Sequence, residues 1–210
     1  MPPRRCTPTD GRALQHVGCG LLVLDRFIDF EADVGATPED SSREAAWRNG
    51  DLINRTLATL SPGDTLHFPN KTFYAMGGIS ASGLTNVTID LSGTIVFSDD
   101  VDAWPKRPEG GVTDCLSFSN LTGVVFTSSS GQGVLDGQGK AWWGLPWIGY
   151  LMHLEDRPKL FSMDHGRDIL VENITFRNSP YWTFWAQNKT EGATCGARSC
   201  AQDRATPSVL

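Results

Sequence analysis

Three segments of this chain carry one pattern. Ile79-Ser80-Ala81 leads through the polar turn Ser82–Asn86 into Val87-Thr88-Ile89. Leu116-Ser117-Phe118 leads through Ser119–Gly123 into Val124-Val125-Phe126, and Phe161-Ser162-Met163 leads through Asp164–Asp168 into Ile169-Leu170-Val171. Each copy has two inward residues, a five-residue turn, and two inward residues again. The stretches LTNVTI at Leu84 and LTGVVF at Leu121 align without a gap. Alternation with period 2 is the signature of strands with one buried face. A strand–turn–strand unit cannot bury that face alone, but stacked copies share a core. The copies start 37 and 45 residues apart, at Ile79, Leu116 and Phe161, so loops of unequal length separate them. No helical stretch lies between copies, which argues against a βαβ sheet. The expected class is all-β, a stacked parallel β-solenoid; a β-sandwich with irregular loops is the alternative.

Upstream of the repeats, Ile28–Val34 reads as a first strand, with Ile28 and Phe30 on one face. Ser41 or Ser42 offers an N-cap, and Glu39 and Glu44 suit the positive end of a helix. Ala46, Trp47, Gly50, Ile53, Leu57 and Leu60 then recur at three- and four-residue spacing, which predicts an amphipathic helix of about five turns. Ser61-Pro62-Gly63-Asp64 stops it. A strand at Leu66 and Phe68, a Pro69-Asn70 turn, and Phe73-Tyr74 follow. The polar loop Asp99–Gly111, broken by Pro105 and Pro108, is expected to project from the body. The loop Gly137–Tyr150 carries Trp142, Trp143 and Trp147. From Gln187 onward the alternation ceases.

At 210 residues with 40% hydrophobic content, the chain can build one domain with a real core. Its net charge of −6 leaves no basic footprint for nucleic acid, so no nucleic-acid partner is expected. No run of 18 apolar residues predicts a membrane span. Cys6, Cys19, Cys115, Cys195 and Cys200 form no CxxC pair, and His16, His67, His153 and His165 sit at no zinc-ligand spacing. One or two disulfides and a leftover thiol are compatible with that count. Six N-x-[ST] sequons, at Asn54, Asn70, Asn86, Asn120, Asn173 and Asn188, favour a secreted glycoprotein, although Asn- and Thr-rich turns raise such a count by themselves. Arg4 and Arg5 before the apolar run Val17–Leu24 make residues 1–27 signal-like or irregular.

Four elements in order resemble the N-terminal part of the family 28 glycoside hydrolases, the polygalacturonase-type enzymes of the pectin-lyase-like superfamily. They are Phe30–Gly35 with its helix, GVLDGQGKAWW at Gly133–Trp143, RPKLF at Arg157–Phe161, and NSPYWTFW at Asn178–Trp185. The likeness covers residues 28–186. It implies a right-handed parallel β-helix whose N-terminal α-helix caps the first coil. It also implies inverting hydrolysis of pectin-type, uronic-acid-containing polysaccharides. In that chemistry one carboxyl protonates the leaving oxygen, and a second activates a water that needs room to enter. The family's catalytic set comes after the NSP element: an Asn-Thr-Asp motif, an Asp-Asp pair, a Gly-His-Gly and an Arg-x-Lys. None stands at the matching place here. The expected organisation is residues 1–27 as an N-terminal leader or irregular segment, 28–186 as the first coils of a truncated β-helix, and 187–210 as an irregular tail. No catalytic, substrate-binding or metal-binding residue is assigned, and no cofactor is expected.

Other motifs are weaker. Asp99-Asp100, with Asp102, could imitate a catalytic pair or hold Ca²⁺, but reads better as a solvated turn. Asp136-Gly137-Gln138-Gly139 lacks the G-x-G-x-x-G spacing of a phosphate loop and reads as a tight turn. Gly78–Ser82 misses a G-x-S-x-G elbow by its last residue and reads as strand. Glu39-Asp40 and Glu155-Asp156 are further acidic pairs, and Asp164-His165 is read as part of a turn. Trp142, Trp143, Trp147, Tyr181, Trp182 and Trp185 could stack on sugar faces but are expected to pack, Trp182 above all. The leading expectation is a secreted, pectin-directed hydrolase whose 210-residue chain is itself inactive and self-associates through its exposed last coil. The alternatives are a non-catalytic polysaccharide-binding solenoid and a Ca²⁺-dependent lyase of the same superfold using Asp99–Asp102 with Lys106 and Arg107.

Overall fold

A computed structural model describes residues 25–143, 156–188, 191–192 and 194–195. The apolar run Val17–Leu24, Cys6, Cys19, Cys200, Trp147, Glu155 and the residues beyond Cys195 lie outside that set.

The chain winds through one strand of each of three parallel sheets per turn. A short β1 (Phe27–Asp29) and the helix α1 (Arg43–Leu57) come first. The first coil is β2 (Thr65–Phe68), β3 (Thr72–Ala75) and β4 (Ile79–Ser82). The second is β5 (Thr88–Leu91), β6 (Thr94–Phe97) and β7 (Leu116–Thr122). The third is β8 (Val125–Thr127), β9 (Gly133–Asp136) and β10 (Phe161–Arg167). The fourth is β11 (Leu170–Val171), β12 (Ile174–Arg177) and β13 (Phe184–Gln187), and β14 (Thr194–Cys195) follows. The sheets run β1-β2-β5-β8-β11-β14, β3-β6-β9-β12 and β4-β7-β10-β13, so each strand bonds to its counterpart one turn away. This is a parallel β-helix with an N-terminal capping helix.

The three sequence repeats stack on one another without a register slip. Ile79, Leu116 and Phe161 are direct partners in one sheet, and Ile89, Phe126 and Val171 are partners in the next. The five-residue turns have a physical cause. Their second positions, Gly83, Asn120 and His165, have φ of 76, 55 and 55°, and their fifth positions, Asn86, Gly123 and Asp168, have φ of 50, 64 and 55°. Left-handed backbone is tolerated by Gly, Asn and Asp. A Cβ on Gly123 would overlap Asn86 Oδ1, so the column alternates a side chain with a glycine. His165 is therefore a corner residue, as the turn reading of Asp164-His165 expects. Strand pairing also passes the expected boundary at Ala186: Leu170 pairs with Thr194, and Arg167 with Glu191.

The interior is aromatic. Phe161 meets Phe118, Phe126, Phe176 and Phe184 at ring-centroid distances of 5.3, 5.1, 5.9 and 5.1 Å, the last pair stacked at 7°. At the N-terminal end, Phe30 packs on Phe68 and Phe73 at 4.6 and 5.3 Å. Helix α1 closes this end with Ile53 and Leu57 facing Leu66 and Phe68. Ser42 caps it by accepting from the Ala45 N–H, and it runs four turns rather than five. The fully buried Asn49 secures the cap: its amide donates to the Thr37 and Tyr74 carbonyls and accepts from the Thr37 N–H. The first strand is shorter than its alternation suggests. It ends at Asp29, whose carboxylate accepts from the N–H groups of Glu31 and Ala32 and turns the chain. Competition between local side-chain bonds and a ladder is the cause.

Buried carboxylates brace the outer faces. Asp64 bonds the Arg26 guanidinium and accepts from the N–H groups of Arg26 and Ser61. Asp90 accepts from the Ser129 N–H and hydroxyl at 2.8 and 2.7 Å and contacts His67 Nδ1 at 3.0 Å. Burial pushes both carboxyls up, and these bonds more than offset it, so both lie below the usual carboxylate range. A depressed carboxyl contributes stability that is complete above the unfolded value, about 3.9, and is lost as pH falls through the folded value. Urea unfolding is therefore expected to show a plateau above about pH 4 and a decline below it. Asp90→Asn should shallow that decline; an unchanged slope would sink the assignment.

Candidate functional site

The long connections all leave one edge, where the sheet containing β9 and β12 passes to the sheet containing β10 and β13. Residues 98–115 and, in the next coil, 137–143 and 156–160 lie there. A groove on this edge is lined by Asp99, Asp136, Gln138, Lys140, Ala141, Trp143 and Asn178.

Its floor is built from register. Val96, Asp136 and Arg177 are partners across β6, β9 and β12. Asp136, only 8% exposed, accepts from Arg177 Nε at 2.8 Å, Asn178 Nδ2 at 3.0 Å and the Gln138 N–H at 3.0 Å. Gln138 has φ of 47° and donates its amide to the Phe97 carbonyl of the preceding coil. Both oxygens of Asp136 are thus engaged, which suits a fixed anchor rather than a proton carrier. The motif Asp136–Gly139 is a tight turn that continues into the short 3-10 turn Gly139–Ala141.

That turn is pressed against the Asn178-Ser179-Pro180 segment. Gly137 and Gly139 donate their N–H groups to the Arg177 and Asn178 carbonyls at 3.1 and 2.7 Å. A Cβ on Gly137 would sit 2.6 Å from Pro180 Cδ, and one on Gly139 2.6 Å from the Ser179 carbonyl oxygen. Trp143 Nε1 donates to the same Ser179 carbonyl at 2.9 Å. The glycines thus permit close backbone approach rather than cradle an anion. Two motifs forty residues apart in sequence form a single wall of the groove.

A second cluster lies where residues 98–115 meet Arg157–Leu160. Asp114 accepts from the Lys159 N–H at 3.0 Å and the Ser162 hydroxyl at 2.7 Å, with Arg107 and Lys159 ammonium or guanidinium nitrogens at 3.9 and 3.7 Å. Arg157 lies over the Tyr181 ring at 4.5 Å and Lys159 over the Trp185 ring at 5.5 Å. Tyr181, Trp182 and Trp185 form a row with centroid spacings of 5.5 and 5.4 Å. Cations over aromatic faces are favourable.

Two expectations need correction here. The loop Asp99–Gly111 does not simply project. Trp104 is 2% exposed, meets Trp142 edge-on at 5.2 Å and donates its indole N–H to the Thr113 carbonyl, so one large apolar side chain draws the polar loop onto the core. Trp142 and Trp143 pack as expected, but Trp182 is 48% exposed. It lies in the corner 178–183 between β12 and β13, outside the strand alternation on which the packing expectation rests.

The remaining candidates do not assemble into chemistry. Asp100 caps a local turn through the Ala103 N–H and lies 3.4 Å from Arg43, while Arg107 faces Asp114, so the Asp99–Asp102 acids and the Lys106–Arg107 bases do not converge into a lyase site. Among the described residues no group of three His, Cys, Asp or Glu side chains could hold a metal ion. His67, Asp90 and Ser129 do meet, but the carboxylate lies between the hydroxyl and the imidazole. In a nucleophilic triad the imidazole must be central. Cys115 is a buried free thiol whose pKa burial and Asp114 push well up, so it is no nucleophile. No helix among the described residues is long and apolar enough to cross a membrane. Asp114 and the Asp136–Arg177 pair escaped sequence reading because neither belongs to an acidic cluster; the RP and NSP motifs beside them were the available signal.

Residues 64–194 match the family model for glycosyl hydrolases family 28. The chain belongs to glycoside hydrolase family 28. Endo-xylogalacturonan hydrolase A of Aspergillus tubingensis is 27% identical over 133 residues, which are 61% of this chain and 30% of that protein. The exopolygalacturonase of Cochliobolus carbonum is 28% identical over 130 residues, 59% of this chain and 27% of the relative. The crystal structure of the A. tubingensis endo-xylogalacturonan hydrolase superposes with a TM-score of 0.58 at 22% identity, over 84% of this chain and 44% of that one, which establishes the shared fold. This family 28 chain therefore spans under a third of the length of the curated relatives it matches.

Proposed function

We propose that these coils are the N-terminal part of a secreted polygalacturonase-type hydrolase that cleaves pectin-like, uronic-acid-containing polysaccharides with inversion. The observation that carries this reading is the docking of Asp136–Trp143 onto Asn178–Pro180, which joins the two family motifs into one wall of a groove. Lys140, Arg177 and the Arg157–Lys159 pair supply positive charge along this edge, which suits a polyanionic chain. Names of the relatives support the substrate class: one acts on xylogalacturonan, the other is an exopolygalacturonase.

Inverting hydrolysis needs two available carboxyls about 6.5–9.5 Å apart. Of the two carboxyls lining the described groove, Asp136 is held by Arg177, Asn178 and Gln138, and Asp99 is solvent-exposed. The purified 210-residue polypeptide is thus expected to release no reducing sugar from polygalacturonate or xylogalacturonan. Release above the level of a heat-treated control overturns that part of the reading. The same polypeptide is expected to self-associate, because β12 and β13 each have one paired side among the described residues and open edges recruit strands. Light scattering behind size exclusion checks this, and a monodisperse monomer counts against it.

A second reading has one observation in its favour. The Tyr181–Trp182–Trp185 row, flanked by Arg157 and Lys159, has the chemistry of a sugar-binding platform: ring faces for pyranose C–H surfaces and cations for carboxylates. On this reading the coils retain polysaccharide without cleaving it. Affinity electrophoresis in gels containing polygalacturonate, with Trp182→Ala as control, separates the two readings.

A further inference from the structure

We propose that Asn70, Asn86 and Asn173 are N-glycan acceptors of this chain, and that Asn54 is not. The inference rests on the secretory part of the proposed function and goes beyond it, because the fold sorts the six sequons into distinct classes.

Most of the sequons have a structural origin. Asn86, Asn120, Asn173 and Asn188 have φ between 50 and 57°, which places them at left-handed corners. After Asn86 and Asn173 the chain enters a strand, where outward positions suit a β-branched residue. An Asn at the corner and a Thr two residues later therefore recur there for reasons of folding alone: Thr88 opens β5 and Thr175 lies in β12. Asn120 and Thr122 instead fall within the last residues of β7. The number of sequons is consequently weak evidence for secretion, and individual geometry decides which can carry a glycan.

Asn54 is excluded by its surroundings. It lies inside α1 on the side facing the first coil and is half-buried. Its amide nitrogen donates to the Gly78 carbonyl at 3.3 Å, and its oxygen accepts from the Ser80 N–H at 2.8 Å. A glycan on that nitrogen removes the first bond and puts a sugar between the helix and β4. Asn120 and Asn188 are exposed but commit their amide nitrogens to the neighbouring coil, to the Ser82 hydroxyl at 3.2 Å and the Asp164 carboxylate at 2.6 Å. They are left out of the acceptor set.

The other three are exposed at corners, and among the described residues no hydrogen bond of ordinary length holds their amide nitrogens. Asn70 follows Pro69 between β2 and β3, and its one side-chain partner is the exposed Gln132 at 3.5 Å, too long to hold it. Asn173 occupies the same corner three coils on, between β11 and β12. Asn86 sits at another corner, with its side-chain Oδ1 against Gly123 and, among the described residues, only its backbone hydrogen-bonded, to Thr122 and Gly63. The hydroxyl-bearing partners Thr72, Thr88 and Thr175 lie on partly exposed strand positions beside these corners. Glycans there would leave the groove edge free, since none of the three lines it.

The test expresses the full chain behind a supplied secretion leader in a eukaryotic host, so the outcome does not depend on the chain's own export. Folded material is treated with an amidase that releases N-glycans and converts each occupied Asn to Asp, and peptides are read by mass spectrometry. Conversion at two or more of Asn70, Asn86 and Asn173, with none at Asn54, is the expected result. Conversion at Asn54 in folded material, or at fewer than two of the three, overturns the proposal. If secreted yields are too low, translation into microsomes of chains retaining a single sequon gives the same reading from gel mobility: a shift for the Asn70, Asn86 and Asn173 chains is expected, and no shift for two of them overturns it. Failure of the natural chain to leave the cell, with occupancy intact behind the supplied leader, would instead reject the secretory reading alone.

Discussion

Phe161→Ala is expected to lower the unfolding free energy by about 3–5 kcal/mol, the range for deleting a buried aromatic side chain. Phe161 is 1% exposed, sits at the start of β10 and touches aromatic rings from both neighbouring coils and from two other sheets. The backbone around it is held by parallel ladders on both sides, to β7 and β13, so the vacated space cannot close by moving one strand. The cost should thus lie towards the upper part of that range. Phe161→Leu keeps much of the volume and should cost less than half as much. Urea midpoints measured at constant slope give the comparison. A loss below about 1 kcal/mol for the alanine variant would mean the interior is not packed as described.

Trp104→Ala is expected to have the second large effect, about 3–5 kcal/mol if the loop remains docked and less if it simply lifts away. Trp104 is the point at which residues 98–115 enter the core, and its edge-on contact with Trp142 joins the two loops that border the groove. Its loss should raise amide exchange across residues 98–115 and in the turn Gly139–Ala141, while leaving exchange in β2, β5 and β8 near its original level. Gly77 supplies an independent check. A Cβ there would overlap the Trp104 ring, so Gly77→Ala alone should destabilise by about 1–3 kcal/mol, as overpacking does. In the Trp104→Ala background that penalty should largely vanish, a coupling that a double-mutant cycle measures directly. Additive penalties would show that Gly77 acts through its backbone alone.

How much of this was readable in advance differs by element. The three strand–turn–strand repeats were visible because stacking imposes the same inward positions on every coil, and their alignment became the observed register. The capping helix was visible because its apolar residues follow the helical period. Its length was overestimated: Leu60 continues the spacing, but the backbone leaves the helix after Leu57. The first strand was overextended because alternation persists through Glu31–Val34 while Asp29 has already turned the chain. The loops were least legible. Trp104 and Trp182 stand in similarly polar or turn-rich contexts, yet one is buried and the other exposed, since each loop's path depends on the neighbour it meets.

The groove shows the same division. Its motifs, DGQG with its tryptophans and NSP with its aromatics, were legible and pointed to the family. That Asp136 is spent on Arg177, Asn178 and Gln138 was not, because these partners are set by the register of β9 against β12.

By itself, then, the sequence determined the stacked repeats, because period-2 alternation is a local requirement that every coil must satisfy, and its DGQG, RP and NSP motifs pointed to the family. The tertiary structure alone decided which carboxylates are engaged, which tryptophans reach water and which asparagines remain free at the corners. Those outcomes depend on what the next coil places a few ångströms away, and in a parallel stack the next coil lies some twenty to forty-five residues distant along the chain.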